Sequence, residues 1–320
     1  MPLPRYVDRG GEIVAPGPYT ARGAETYAFI LPADRTRLNA LLAKSFRGPS
    51  GGAVDVEALA PIVFLTASRI RSLRPTNSPQ YGQASEREIA VWVPGRRMGH
   101  DRMVWFHPYM FVDQHLALAA GREVYGFPKQ GGDIAIHGPA TSPDAITLDV
   151  VAIDRFHEDA WATPHRVLEI VRRGAPSPPP IETSNEAAAL DAFEASMAVP
   201  DMRPAVAGLR GIGDIAGLLA LIVTIVRETA AGRMPMVFLK QFRDAADPGR
   251  ACYQAIIEAR TRRLAFHGFG FLGDYRVTVN DLASEPIRAD LGLPQGTIEP
   301  IQSIRLQDDF EMETGRVLWP

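Results

Sequence analysis

The stretch Gly121-Arg122-Glu123-Val124-Tyr125-Gly126-Phe127-Pro128-Lys129-Gln130 runs directly into Gly131-Gly132. Its lysine follows an aromatic residue and a proline and precedes two glycines. Proline fixes the backbone on one side of Lys129, and glycine permits close passage of the chain on the other. A lysine held this way and removed from water loses its proton more readily and becomes an amine nucleophile toward carbonyls. A turn lysine facing solvent fits the same residues, and local composition leaves both open.

Lysine is scarce in this chain. Of 34 basic residues only Lys44, Lys129 and Lys240 are lysine. The rest are arginine, whose guanidinium stays protonated and cannot serve as an amine nucleophile. Lys44 falls in the last turn of a predicted helix, where a cation complements the helix dipole. Lys240 sits beside Phe242 on a predicted strand and reads as structural or pocket-lining.

Around the decapeptide the pattern is strand-like. Residues 61–65, 88–93 and 103–106 precede it and 134–136 and 145–151 follow, all apolar and β-branched or aromatic, with turn residues between. A short helix is predicted over 114–120. Nearer the N-terminus, 26–31 reads as a strand. Asp34 then caps a helix through Leu38, Leu41, Leu42 and Phe46. Beyond the strands, 166–173 reads as helix and 175–180 as a stiff proline linker. Asn185 caps an alanine-rich helix to Met197, and 215–228 forms an almost wholly apolar helix that must be buried. Strands resume at 236–242, 253–259 and 275–279. The fold class expected is α+β: a β-barrel or mixed-sheet domain spanning 1–320, with a linker and α-helical insertion over 176–232.

Composition narrows the function. Hydrophobic residues make up 46% and charged residues 22%, enough for a sizeable core. A formal net charge of −3 argues against binding nucleic acid or an anionic membrane through bulk charge. The single Cys252 excludes an intramolecular disulfide framework and a multi-cysteine metal site, and is expected to be buried and inert. No apolar signal core or membrane-length apolar run is present, which predicts a soluble cytoplasmic protein. His157-Glu158 with His165 has the wrong spacing for paired helical zinc ligands, and 267–271 lacks the context of a nucleotide loop. Arg69, Arg71 and Arg74 read as a solvated face.

The order Gly121-Arg122-Glu123 then Phe127-Pro128-Lys129 resembles the Schiff-base segment of the acetoacetate decarboxylase superfamily. Two further stretches agree: Gly17-Pro18-Tyr19 with Asp34 and Leu38 is similar to that family's first strand and helix, and 236–240 to a later strand. The resemblance implies a lyase in which Lys129 forms an imine with a small oxo acid, without metal or organic cofactor, commonly as a homo-oligomer. Decarboxylation of a 3-oxo acid is the first expectation. Aldol–dehydratase or hydratase chemistry and a catalytically silent binding protein are the alternatives.

The remaining site residues follow from the resemblance. The family's second lysine is replaced by Gln130. Its glutamate, two residues after a tyrosine, falls on Gln83 after Tyr81, and a small shift places Glu86 or Glu88 there. Its first-strand arginine falls on Ala24, with Arg22 two residues away. Tyr125 and Phe127 are expected to bury Lys129 and so lower its pKa, with Arg122 or Arg22 as a second positive neighbour. Lys129, Glu86 and Gln83 are thus the catalytic candidates; Arg22, Tyr81, Arg122, Tyr125, Phe127 and Gln130 are the substrate-binding ones.

Overall fold

A computed structural model describes residues 5–7, 14–100, 102–174, 182–198, 215–231 and 233–320. Along the chain come β1 (Tyr19–Pro32), helix α1 (Arg35–Leu42), β2 (Val56–Ala58), β3 (Ile62–Pro75), β4 (Ala84–Arg97) and β5 (Arg102–Val112). Helix α2 (His115–Ala120), β6 (Lys129–Gly131), β7 (Asp133–His137), β8 (Ala145–Ala152) and β9 (Thr163–Arg172) follow. Helices α3 (Glu186–Met197) and α4 (Ile215–Ala230) precede β10 (Arg233–Arg243), β11 (Ala251–Phe271) and β12 (Tyr275–Val279). The chain ends with α5 (Ile287–Leu291), β13 (Thr297–Ile298), β14 (Gln302–Met312) and β15 (Arg316–Trp319).

The larger sheet runs β2-β4-β3-β1-β14-β11-β10-β5-β6, with β15 on β11. An additional β4–β5 pairing closes the strands from β4 round to β5 into a ring. Strands from before and after the two long helices therefore share one sheet. Side chains alternate across it, as a pleated strand dictates. Val63, Leu65 and Ala67 of β3 face a first core with Tyr27, Phe29, Ile89 and Val91. Leu38, Leu42 and Phe46, and the inner face of the second sheet (β13-β12-β9-β8-β7), complete that core. Ile62 and Phe64 face the opposite way into a second core, which helices α3 and α4 cover with Phe193, Met197, Leu218, Ile222 and Ile225. This is an α+β fold whose ring has one face in a solid core and the other beneath a pair of helices.

Several expectations change. Of the predicted helix 166–173, residues 166–172 are strand: β9 pairs with β8 on one side and β12 on the other, and those ladders decide the local form. Helix α4 is not buried all round; Leu218, Ile222 and Ile225 form one buried stripe, while Ile215 is exposed. Cys252 is exposed at the start of β11. Lys44 lies exposed in a π-type turn continuing α1. The proline run lies outside the described residues. Among the described residues no helix is long and apolar enough to cross a membrane.

Candidate active site

The decapeptide is shaped by its glycines. The Gln114 side chain caps α2, which passes into a π-type turn over 121–125 and stops at Gly126. Gly126 has φ +86°, and a Cβ there would lie 2.6 Å from Lys240 Cα, so glycine meets both the backbone conformation and the close approach of β10. A Cβ on Gly121 would lie 2.7 Å from Lys129 Cδ. The turn thus presses against the lysine stem, and Lys129 enters β6 opposite Met110 of the parallel strand β5.

Lys129 is 6% exposed. Its Nζ donates to Glu86 Oε1 at 2.7 Å and lies 3.6 Å from Glu88 Oε2. Both carboxylates come from β4, two residues apart and therefore on one face. Burial acts to lower the Lys129 pKa, but Glu86 and Glu88 together outweigh it and hold the ammonium above the ordinary lysine value. The expectation of a lysine pKa lowered mainly by burial, with Arg122 or Arg22 as a second positive neighbour, is thereby corrected: the charged neighbours are carboxylates, and the pKa is raised. Glu88 is pushed up to about 7, chiefly by burial, with the Lys129 charge pulling the other way. One carboxyl beside the lysine thus has both protonation states within reach near neutral pH.

The lysine opens into a chamber of about 360 Å³ between the ring and the helical pair. Its walls carry Phe64, Trp92, Trp105, Met110, Phe193 and Phe269. Tyr125 and Phe127 line it beside Lys129, as expected, with the Lys129 Nζ 5.6 Å from the Phe127 ring centre. Tyr81 and Gln83 line it too, but both are exposed; Gln83 accepts from Ser72 Oγ at 2.7 Å and is not beside the lysine. Of the two, it is Glu86 and not Gln83 that contacts Lys129. Ser72 and Gln83 sit where β3 and β4 separate, away from the buried end.

Three expected substrate contacts lie outside the chamber walls. Arg22, at a bulge in β1, pairs with Asp309 at 2.9 Å and is half exposed. Arg122 donates to the Lys129 carbonyl oxygen at 3.0 Å, so it positions backbone instead of meeting ligand. Gln130 faces away from Lys129, as the next residue in a strand must, and donates to Glu285 at 3.1 Å. Lys240 donates to the Val124 carbonyl and props the segment from behind. Arg69 donates to the Ile136 carbonyl, while Arg71 and Arg74 are exposed. His157, Glu158 and Asp159 lie together but fully on the surface.

His107 is the residue that sequence reasoning missed. It is fully buried, lines the chamber and stands among Trp92, Phe127 and Phe238. Burial first, and the Lys129 charge second, lower its pKa to about 3, so the ring stays neutral. The available signal was the alternation Trp105-x-His107 on an apolar strand, the same pattern that pairs Glu86 with Glu88.

The family model for acetoacetate decarboxylase (ADC) matches residues 4–169, just over half of the chain, and the protein belongs to that family. No curated protein matches it. Among solved structures it is similar to acetoacetate decarboxylase from Legionella pneumophila, with TM-score 0.60 and 15% identity over 99% of this chain and 92% of that one. The enduracididine biosynthesis enzyme MppR complexed with pyruvate gives TM-score 0.55 and 15% identity over 96% of this chain and 93% of that one. An acetoacetate decarboxylase-like enzyme from Sphingomonas wittichii RW1 gives 0.54 and 12% over 98% of each. At these identities the likeness concerns the fold.

Proposed function

We propose that the protein is a lyase working through an imine between Lys129 and the carbonyl of an oxo acid or related compound. The observation that carries this is a buried lysine whose Nζ lies between two carboxylates, at the wall of an apolar chamber. The ammonium must first give up a proton, and Glu88, near its midpoint at neutral pH, is suited to take and return it. The free amine then adds to the carbonyl carbon, and the carbonyl oxygen departs as water. The protonated imine withdraws electrons from the adjacent carbon.

Two outcomes follow from that intermediate. In decarboxylation of a 3-oxo acid, the electrons of the breaking carbon–carbon bond flow into the imine as carbon dioxide leaves. In aldol or dehydration chemistry a carboxylate removes a proton from that carbon instead. One observation bears on the substrate of either outcome: among the described residues, the cations lining the chamber, Lys129 and Arg263, are both paired with protein carboxylates. Among the described residues no guanidinium stands free there to fork onto a substrate carboxylate.

Borohydride reduction with a panel of oxo acids and ketones, read by intact mass, tests the imine. Wild type should gain covalent mass, and Lys129→Arg should gain none while remaining folded. Trapping that survives in Lys129→Arg and disappears in Lys240→Arg would overturn the assignment. Carbon dioxide release separates the two outcomes, and failure to trap any carbonyl compound would overturn the imine reading.

A further inference from the structure

The chamber is built for something other than a four-carbon acid. Its volume lies in the range that receives drug-sized ligands. A short oxo acid would leave most of the wall formed by Phe64, Trp92, Phe193 and Phe269 untouched. Its charge is unsuited as well. Among the described lining residues, Glu86, Glu88, Glu186 and Asp308 face only Lys129 and Arg263. A further carboxylate entering this low-dielectric space meets more negative than positive charge.

Buried polar groups without partners are uncommon and costly, and here three line the same chamber. Trp105 Nε1, both ring nitrogens of His107 and the Tyr125 hydroxyl have no hydrogen-bond partner among the described residues. Trp105 and His107 project from one face of β5 and flank Trp92, with ring centres 5.9 and 4.0 Å from it. A neutral imidazole offers one donor and one acceptor. Its plane is set by Trp92 and by stacking on Phe238 at 5.7 Å. The His107 ring centre is 5.8 Å from that of Phe127, to which the Lys129 Nζ is 5.6 Å, so the imidazole and the lysine both stand against one aromatic ring.

We propose that the chamber receives a carbonyl compound with a bulky aromatic or apolar body carrying a neutral hydrogen-bonding group away from the reacting carbonyl, and that His107 and Trp105 bind that group. This rests on the imine reading of Lys129.

The test compares acetone, acetoacetate, 4-phenylbutan-2-one and 4-(4-hydroxyphenyl)butan-2-one by cyanoborohydride trapping, measuring the half-saturating concentration of each. The two aryl ketones should saturate at least about a hundredfold below acetone and acetoacetate. The hydroxylated one should saturate about tenfold below its parent, because a site built for a hydroxyl penalises its loss. In folded His107→Phe that tenfold ratio should fall to near one. Acetoacetate saturating as low as the aryl ketones, or a hydroxyl without effect in wild type, overturns the proposal; a ratio retained in His107→Phe overturns the role of His107. Calorimetry with 4-(4-hydroxyphenyl)butan-2-ol, which forms no imine, separates the two readings. If it binds wild type and Lys129→Met while no ketone traps, the imine reading has failed and the chamber inference stands. If all ketones trap alike and the alcohol does not bind, the reverse holds.

Discussion

Lys129 carries a charge that the fold compensates twice, and the consequence is a stability that depends on pH. The Glu88 pKa, about 7, stands above the ordinary 4.5. Neutral Glu88 therefore favours the folded state fully below about pH 4.5, and this contribution is lost as pH rises through about 7. A shift of that size corresponds to about 3 kcal/mol, shared with Lys129 and Glu86. Glu88→Gln removes the titration, so relative to wild type it should gain stability between pH 5 and pH 8, by about 2 kcal/mol. Urea denaturation at both values measures this; an equal difference at the two pH values would sink the assignment. A second residue-scale expectation concerns Gly126. Alanine there meets a positive φ and the backbone of Lys240 at once, and should cost about 1–3 kcal/mol while lowering the trapping rate, since Lys129 follows three residues later. An unchanged trapping rate in a folded Gly126→Ala would show the turn to be permissive. A constrained lysine was legible at this scale from its proline, aromatic and glycine neighbours, while its candidacy as nucleophile came from the family resemblance. Its electrostatics were not, since the two carboxylates arrive from β4, forty residues upstream in round terms, and local sequence carries no record of that neighbour.

At the scale of elements, legibility followed the strength of local signals. The cap at Asn185 was readable because its side chain satisfies a helix N–H, and it accepts from Ala188 at 3.1 Å. Asn185→Ala should cost about 1 kcal/mol, read as a shift in the denaturation midpoint. An unchanged midpoint would mean that α3 is held by packing alone. Helix α4 was readable as a helix, but its depth of burial was not. Its stripe of Leu218, Ile222 and Ile225 depends on where α3 lies, and that is a tertiary fact. Ile222 is fully buried, and Ile222→Ala should cost about 2–5 kcal/mol, far more than truncating exposed Ile215. The misreading of β9 has the same origin. Val167, Leu168 and Ile170 suit a buried helix or a buried strand, and only the ladders to β8 and β12 distinguish them. His107 was hidden by this ambiguity as well: a single histidine in an apolar strand is silent until the sheet shows which face it occupies.

At the scale of the whole molecule, the ring and the helical pair divide the work. The ring supplies Glu86, Glu88 and His107 from β4 and β5, and β6, paired on β5, supplies Lys129. The helices contribute Phe193, Ala189, Leu190 and Val226 as a largely apolar roof, which Glu186 and Thr229 also line. Removing the roof would expose Phe64, Phe269 and the apolar ends of β10 and β14 as one contiguous surface, larger than a soluble monomer ordinarily shows. A variant lacking 176–232, with β9 and β10 rejoined by a short glycine–serine loop, should therefore aggregate or bind a hydrophobic dye strongly, and should trap no ketone. The alternative is a roof that serves mainly to join copies of this chain, since α4 keeps Leu219, Leu221 and Val223 only partly buried. In that case the variant stays soluble with fewer subunits by light scattering while retaining imine formation. If the variant instead keeps its number of subunits, its solubility and its trapping rate together, the helices neither roof the chamber nor join subunits. The ring alone would then be sufficient to hold Lys129 in its reactive setting.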